Sequence, residues 1–262
     1  MREKVLVIGA GIGGLCTALL LAPSGREIVM IERDGPLDTS DPDELFRNWK
    51  RNGVAHLRQS HAFLARLRVI MKEEHPALIE QLLANGVREL PFDIWLTEQQ
   101  EQGYQPEPED EDLTMITSRR TTLEMTMRNY VETLPNVTLQ CGYRVERLLT
   151  HKGEDGILQV NGVQGMLNGV ATTMHADIVV DASGKGGRGI KQLMDEGAII
   201  KEESESAGIL YFTRHYRLLP DQIEPDRRTN PPASGDLGYL KFGVFPGDNG
   251  NFSITLAVPE VE

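Results

Sequence analysis

A short segment near the start of the chain has the residue types and the spacing of a phosphate-binding turn. Residues 9–14 read GAGIGG and match the pattern G-x-G-x-x-G. The first glycine permits a tight turn, the second lets a pyrophosphate approach the backbone, and the third lets a helix pack closely against a sheet. A helix that begins here would aim free N–H groups and the positive end of its dipole at the phosphates. The pattern predicts that a dinucleotide is bound by Gly9, Gly11, Ile12, Gly13 and Gly14.

An acidic residue stands where dinucleotide-binding proteins contact a ribose. Glu32 follows Gly14 by 18 residues and closes an apolar run. Its carboxylate is able to accept hydrogen bonds from both ribose hydroxyls, and it would repel the 2′-phosphate of NADP. The alternative is a solvated residue at the end of a strand. The glycines before Glu32 favour ribose binding.

Two strands and a helix are needed to position these residues, and the hydrophobic pattern predicts them. Residues 4–8 are typical of a fully buried strand, residues 12–21 of a buried helix, and residues 27–31 of a second strand. Together they form a βαβ unit with parallel strands and, by default, a right-handed crossover. The apolar run at 5–22 also has the outline of a signal peptide or short membrane span. The spaced glycines, and the charged pair that follows the run, favour the βαβ unit.

The rest of the chain is predicted to mix helices with strands and then to continue as strands alone. We predict helices at 62–74, 77–85 and 123–134, a strand at 92–96, an acidic surface loop at 98–112, and strands at 137–140, 145–150, 157–163, 169–175 and 178–181. After residue 190 we predict antiparallel strands at 209–218, 238–245 and 251–258, with a Pro- and Asp-rich loop at 220–232.

Several motifs, in this order, resemble the FAD-dependent monooxygenases of the aromatic-hydroxylase class. Residues 4–34, KVLVIGAGIGGLCTALLLAPSGREIVMIERD, resemble the opening of those proteins, where GAGIGGL and IER are typical. Residues 53–64, GVAHLRQSHAFL, resemble the family segment GVPQxRHAHxLL. Residues 118–124, SRRTTLE, resemble the segment that opens the helix before the central strands. Residues 181–188, DASGKGGR, resemble the family's second glycine motif.

The resemblance implies roles for individual residues. Arg58 and Arg120 would hold pyrophosphate or ribityl oxygens of FAD, for which a bidentate guanidinium is suited, and His61 would approach the isoalloxazine. Asp181 would bind a ribityl hydroxyl or a backbone N–H, and Gly184 would allow close backbone approach. Surface salt bridges for the arginines, a helix-terminal or satisfied core histidine, and simple turn chemistry remain the alternatives. The full set of expected cofactor-binding residues is Gly9, Gly11, Ile12, Gly13, Gly14, Glu32, Arg33, Arg58, His61, Arg120, Asp181 and Gly184.

The chain departs from the family pattern in two places. Ala55 and His56 replace the usual Pro-Gln pair. Asp248, in FPGDNGNF, lacks the flanking residues of the family's later GD motif, so we do not assign it the ribityl contact. The family's chains are also longer, and we expect this chain to lack the C-terminal part.

The resemblance implies an α/β fold, with a Rossmann-type FAD-binding parallel sheet and a β-meander, plus a sheet-rich substrate region. We expect an incomplete FAD-binding domain at 1–190 and a truncated substrate-domain sheet at 191–262. The expected function is that of an FAD-dependent oxidoreductase, a monooxygenase that hydroxylates or epoxidises a small organic substrate with NAD(P)H and O2. A flavin-dependent halogenase, a C=C reductase and a truncated nucleotide-binding module without catalysis are the alternatives. No catalytic residue is assigned, because the flavin performs the chemistry.

The amino-acid composition restricts the classes of partner and ligand that we expect this protein to bind. The net charge of −12 argues against nucleic acid and against an anionic membrane surface, since both would repel the protein. Two cysteines give no disulfide framework, which suits a cytoplasmic protein. No Cys/His cluster has the spacing of metal ligands, so we expect no metal site.

Overall fold

The computed structural model describes residues 2–222 and 233–260, and it groups into two units. The first unit comprises Met1–Ser40, Lys50–Ala55 and Met127–Ser204, and the second comprises Asp41–Trp49, His56–Thr126 and Glu205–Glu262. The boundary that we expect at residue 190, between an FAD-binding domain and a substrate region, stays a prediction.

The described residues form the following elements in chain order: β1 (Lys4–Ile8), α1 (Ile12–Leu21), β2 (Glu27–Glu32), α2 (Pro42–Asn48), β3 (Ala62–Phe63), α3 (Ala65–Glu74), α4 (Pro76–Ala84), β4 (Arg88–Leu90), α5 (Glu98–Glu101), β5 (Met115–Thr117), α6 (Arg120–Val131), β6 (Val137–Cys141), β7 (Tyr143–Lys152), β8 (Leu158–Leu167), β9 (Val170–His175), β10 (Ile178–Asp181), α7 (Gly189–Asp195), β11 (Ile209–Arg217), β12 (Ser234–Asp236), β13 (Lys241–Pro246) and β14 (Asn251–Pro259). Short 3-10 helices lie at Ala22–Ser24, Phe92–Trp95 and Pro108–Leu113.

A parallel sheet in the order β10-β1-β2-β6 is the centre of the first unit. The register places Ile8 at the end of β1 beside both Ile31 and Asp181. Because these strands are parallel, their carboxyl ends meet at one edge of the sheet, where open α/β sheets bind ligands. The sheet therefore brings the ends of β1, β2 and β10 together.

The strands β7, β8 and β9 form an antiparallel meander in the same unit. Tyr143, Leu148 and Val163 of this meander belong to one buried cluster with Leu6 and Ile31 of the parallel sheet. Burial of these apolar side chains removes them from water and holds the two sheets together. The predicted α/β class, with a parallel sheet and a β-meander, is confirmed.

Two antiparallel sheets build the second unit. One has the order β3-β5-β4 and the other the order β11-β14-β13-β12. The strands expected after residue 190 are present, and part of the loop expected at 220–232 lies outside the described residues.

Three local expectations were wrong. The helix expected at 62–74 begins only at Ala65, because Ala62–Phe63 pair with β5 as the strand β3. The segment expected as a strand at 92–96 is a 3-10 helix, Phe92–Trp95. An apolar run of this length does not distinguish a strand from a helical turn, and Pro91 precedes it. The acidic stretch at 98–112 is not only loop, since it contains α5 and the 3-10 helix Pro108–Leu113. Pro108 in the first turn of the latter, and a capping box between Glu107 and Asp110, favour helical backbone there.

Within the described ranges, no helix is long and apolar enough to cross a membrane. Nor do the described residues include a group of three or more His, Cys, Asp or Glu side chains placed to hold a metal ion.

Candidate cofactor-binding site

The turn after β1 requires glycine at its first position. Gly9 has φ of +96°, and a Cβ there would lie 2.7 Å from the carbonyl oxygen of Ala182. The Gly9 N–H donates to the carbonyl of Ile31 over 2.7 Å, which ties the turn to β2. A larger residue would meet both backbone strain and a backbone clash.

The other two motif glycines have different surroundings. A Cβ at Gly14 would overlap the Gly9 carbonyl oxygen, so α1 packs against the turn only without one. A Cβ at Gly11 would have no described atom within 4 Å, so the backbone there faces open space. Gly11 is also the N-cap of α1, and no side chain caps that helix start in the described structure. Free N–H groups and the positive helix dipole make this a place where an anion is stabilised.

Glu32 points back at this turn from the end of β2. Its side chain is 4% exposed, and Oε2 accepts the Ala10 N–H over 2.9 Å. Oε1 accepts the Asp34 N–H over 3.1 Å. The structure thus brings the acid of the predicted ribose contact onto the glycine turn itself.

Two buried arginines share the Glu32 carboxylate. Arg51 Nη2 lies 2.7 Å from Oε2, and Arg128 Nη2 lies 3.3 Å from it. Both arginines also reach the Ala10 carbonyl, through Nη1 of Arg51 at 3.4 Å and Nε of Arg128 at 3.3 Å. Burial raises the pKa of Glu32, but Arg51, the two backbone N–H groups and Arg128 lower it, and the net direction is down. Glu32 is therefore held as a carboxylate.

No sequence pattern identified Arg51 and Arg128 as members of this site. Arg51 stands two residues before the segment that resembles the family, and its pairing with Glu32 and Asp34 depends on tertiary structure. Nor did Arg128 stand out in the sequence, because the burial of residues 120–128 in α6 is visible only in the structure. A charged residue in such a helix requires a buried partner.

The Arg33 side chain packs against Gly53, the first residue of the family-like segment 53–64. A Cβ at Gly53 would overlap the Arg33 guanidinium, so Gly53 makes room for that side chain. The Arg33 side chain is half exposed, and its Nε is 3.8 Å from Asp34 Oδ1. Arg33 thus presents a partly solvated cation beside Glu32.

The segment after β10 packs beside the first glycine turn. The Ala182 N–H donates to the Ile8 carbonyl over 2.9 Å, and Ala182 faces Gly9. The Asp181 carboxylate accepts hydrogen bonds from the N–H and the hydroxyl of Ser183. Gly184 has φ of +80°, which favours glycine. Asp181 and Gly184 are exposed at the same sheet edge as Gly9.

A cavity of about 330 Å³ in the first unit is lined in part by Arg128. Its walls are formed by residues 36–40 of the loop after β2, by α6 and by the end of β6 at Cys141. Arg128 therefore both lines this cavity and contacts Glu32.

The remaining expected ligands lie in the second unit. Arg58 donates to the carbonyls of Phe46 and Trp49, each over 2.8 Å, at the end of α2. Arg120 is buried at the start of α6 and pairs with Glu124 over 3.2 Å. His61 Nδ1 lies 2.8 Å from the Gln59 carbonyl oxygen. Their contact with FAD stays a prediction.

Asp248 is bound by other residues of the second unit, and the expectation that it makes no ribityl contact stays a prediction. Its side chain is fully buried, and it accepts hydrogen bonds from the Arg119 N–H and guanidinium and from the Thr122 hydroxyl. Arg119 also binds Asp43 over 2.7 Å. The arginine of this network is Arg119, which immediately precedes Arg120 in the sequence.

Comparison with known proteins identifies the family. A family model described as FAD binding domain matches residues 4–204. The Mycobacterium tuberculosis protein Rv3254 is 27% identical over 265 residues, which cover 97% of this chain and 53% of that protein. The chain thus spans about half the length of this curated relative.

Solved structures share the fold. PqsL, a probable FAD-dependent monooxygenase from Pseudomonas aeruginosa, has a TM-score of 0.66 at 15% identity, covering 99% of this chain and 61% of PqsL. The flavin-dependent brominase Bmp2 has a TM-score of 0.64 at 16% identity, covering 99% and 56%. The flavin-dependent halogenase CmlS has a TM-score of 0.65 at 16% identity, covering 99% and 42%. Because the family model matches residues 4–204, which is more than half of the sequence, this chain belongs to the FAD binding domain family.

Proposed function

We propose that the first unit binds FAD and that the chain is the FAD-binding part of a flavin-dependent monooxygenase. The observation that carries this proposal is the hydrogen bond from the Ala10 N–H to Glu32 Oε2 beside the open backbone at Gly11. It sets a carboxylate and an uncapped helix start side by side, as a ribose and a pyrophosphate require.

The residues of the first unit fit successive parts of FAD. The α1 start and the bare backbone at Gly11 suit the pyrophosphate. Glu32 suits a ribose hydroxyl, because among the described bonds Oε1 accepts only the Asp34 N–H and keeps capacity for another donor. We assign the adenine to the cavity that Arg128 lines. When bound, FAD supplies the redox chemistry, while these residues bind and orient it.

The expected monooxygenase would take electrons from NAD(P)H and act with O2 on a small organic substrate. One structure of PqsL, a relative in fold, is a complex with 2-aminobenzoylacetate, which supports a small-molecule substrate. Halogenases are as similar in fold, so we keep halogenation as the second candidate. Halide-dependent product formation would separate the two reactions.

We also propose that the chain works in the cytoplasm. Cys16 and Cys141 are both free thiols and form no disulfide with each other, as suits a reducing compartment.

The test is an absorbance spectrum of the purified chain after incubation with FAD and removal of free cofactor. We expect bound flavin in the wild type and FAD affinity weaker by about a hundred-fold in Glu32→Ala, equal to about 2.7 kcal/mol. Glu27→Gln, at the exposed start of β2, is the matched control and should bind normally. A colourless wild type, or unchanged affinity in Glu32→Ala, would overturn the proposal.

A further inference from the structure

Four hydroxyl groups of the second unit form a continuous hydrogen-bonded chain. Ser60 Oγ lies 2.6 Å from Ser253 Oγ and 2.6 Å from Thr255 Oγ1, and Thr255 Oγ1 lies 2.7 Å from Thr213 Oγ1. Each hydroxyl donates one hydrogen bond and accepts up to two, so Ser60 and Thr255 are each able to donate to one neighbour while accepting from the other. One arrangement of the hydroxyl protons therefore has all three bonds of this hydroxyl chain running in the same direction.

The sheet of the second unit holds three of these groups in line. Ser253 and Thr255 are two residues apart on β14 and so lie on one face of the sheet. The register with β11 places Thr213 opposite Thr255 and His215 opposite Ser253. Ser253 and Thr255 are buried, whereas Thr213 is partly exposed. The hydroxyl chain thus runs from a partly exposed end to a buried one.

A small polar cavity lies at the buried end. Its volume is about 10 Å³, and Ser60, Ser253, His61 and His215 are among the residues that line it. This is about the volume that one water molecule needs, and the lining offers the polar partners that such a water requires.

Both histidines present an acceptor nitrogen. Burial and, to a lesser degree, Arg120, His56 and His215 lower the pKa of His61 to about 4 despite the hydrogen bond to Gln59, which raises it, so the ring is neutral near pH 7. The Gln59 carbonyl oxygen accepts from Nδ1, which must therefore have the proton and leave Nε2 as an acceptor. Burial also lowers the pKa of His215, whose Nε2 donates to the Arg58 carbonyl over 2.9 Å.

We propose that the hydroxyl chain is a proton relay between Thr213 and His61, with one water in the cavity as its last member. A proton enters at the Thr213 hydroxyl, each hydroxyl passes its own proton to the next oxygen, and the cavity water delivers a proton to His61 Nε2. The reverse sequence returns it, so no oxidant or reductant is involved. The use of the relay in turnover rests on the proposed function, whereas the relay itself requires no bound FAD.

The relay is tested by the rate at which the Nδ1 proton of His61 exchanges with water. That exchange requires protonation at Nε2, and NMR of the full chain with 15N-labelled histidine measures it, with His61→Phe to assign the signal. Thr255→Val keeps the side-chain shape but removes the central hydroxyl. We expect exchange to slow by about a hundred-fold, the low end of what a positioned proton donor contributes.

Three further variants separate the relay from a general change in packing. Thr213→Val should slow exchange as Thr255→Val does, and Thr213→Ser, which keeps the hydroxyl, should exchange at the wild-type rate. Thr121→Val is the matched control, because its buried hydroxyl makes no hydrogen bond within the described residues. If Thr255→Val does not fold, Thr213→Val gives the same test at the partly exposed end.

Wild-type exchange in both valine variants of the hydroxyl chain would overturn the relay, as would equal slowing in Thr121→Val. Because these measurements use the protein without FAD, a failure of the relay is distinct from a failure to bind the cofactor.

Discussion

The Arg51 guanidinium binds the Glu32 carboxylate in a buried ion pair, with 2.7 Å between Nη2 and Oε2. The same guanidinium binds Asp34 through Nε over 3.1 Å and reaches the Ala10 carbonyl. Arg51 therefore fixes both the side chain that we assign to the ribose and the turn that we assign to the pyrophosphate. The acid is oriented before any cofactor arrives, which reduces the entropy lost on binding.

Arg51→Met should destabilise the protein. It leaves Glu32 and Asp34 with one buried cation fewer, and breaking a buried ion pair by removing one partner costs about 3 kcal/mol. Chemical denaturation followed by circular dichroism measures the loss. Arg144→Met removes an exposed arginine from its pair with Glu146 in the same unit, and it should change stability by less than about 0.5 kcal/mol. Equal effects in the two variants would contradict the assigned role of Arg51.

Acid should weaken the fold through Glu32. The folded-state pKa of Glu32 lies below its ordinary value of 4.5, so the unfolded chain binds the proton more readily. The stabilisation is present above pH 4.5 and is lost as the pH falls through the folded-state pKa. The unfolding free energy of the wild type, minus that of Glu32→Gln, should therefore decrease over that range. A difference that does not vary with pH would show that Glu32 is not held by its cationic partners.

The glycine turn and Glu32 were predictable from the sequence, whereas the arginines that contact Glu32 were not. Gly9, Gly14 and Glu32 are separated by short distances along the chain, and the local βαβ pattern dictates where each lies. Arg51 and Arg128 meet Glu32 only through the tertiary fold. No local pattern encodes a side-chain pair whose members are brought together by packing.

The second unit shows the same limit on sequence reasoning. The long strands β11 and β14 alternate clearly enough to be predicted, but β3, β4 and β5 have only two or three residues each and carry no periodicity. The hydroxyls of Ser60 and Thr255 are 195 residues apart in sequence, and only the fold places them in contact.

Loss of the Asp248 carboxylate should destabilise the second unit. Asp248→Asn keeps the shape but leaves Arg119 with Asp43 as its one charged partner among the described residues, and Asp248 is fully buried. We expect a loss of about 3 kcal/mol, as for other buried pairs that lose one charge. Asp236→Asn, which affects an exposed pair with Lys241 in the same unit, should have little effect. Unfolding curves that coincide for wild type and Asp248→Asn would contradict this account.

Protonation of His61 should require unusually acidic solution. The folded-state pKa of about 4 lies below the ordinary value of 6.5, so any stability linked to the neutral ring is present above pH 6.5 and is lost as the pH falls towards 4. The ring Cε1–H shift, followed by NMR, gives the pKa directly. A midpoint near 6.5 would contradict the buried, carbonyl-bound ring.

The most direct measurement of the central claim is the FAD affinity of Gly11→Ala, determined by calorimetry beside the wild type. An added Cβ meets no described atom within 4 Å, so the variant should fold, with a loss of less than about 1 kcal/mol from alanine at the N-cap of α1. Its methyl group would occupy the space that the pyrophosphate needs, and we predict that affinity falls by about a hundred-fold, or about 2.7 kcal/mol. Wild-type affinity in a folded Gly11→Ala protein would contradict the claim that the dinucleotide lies against this turn.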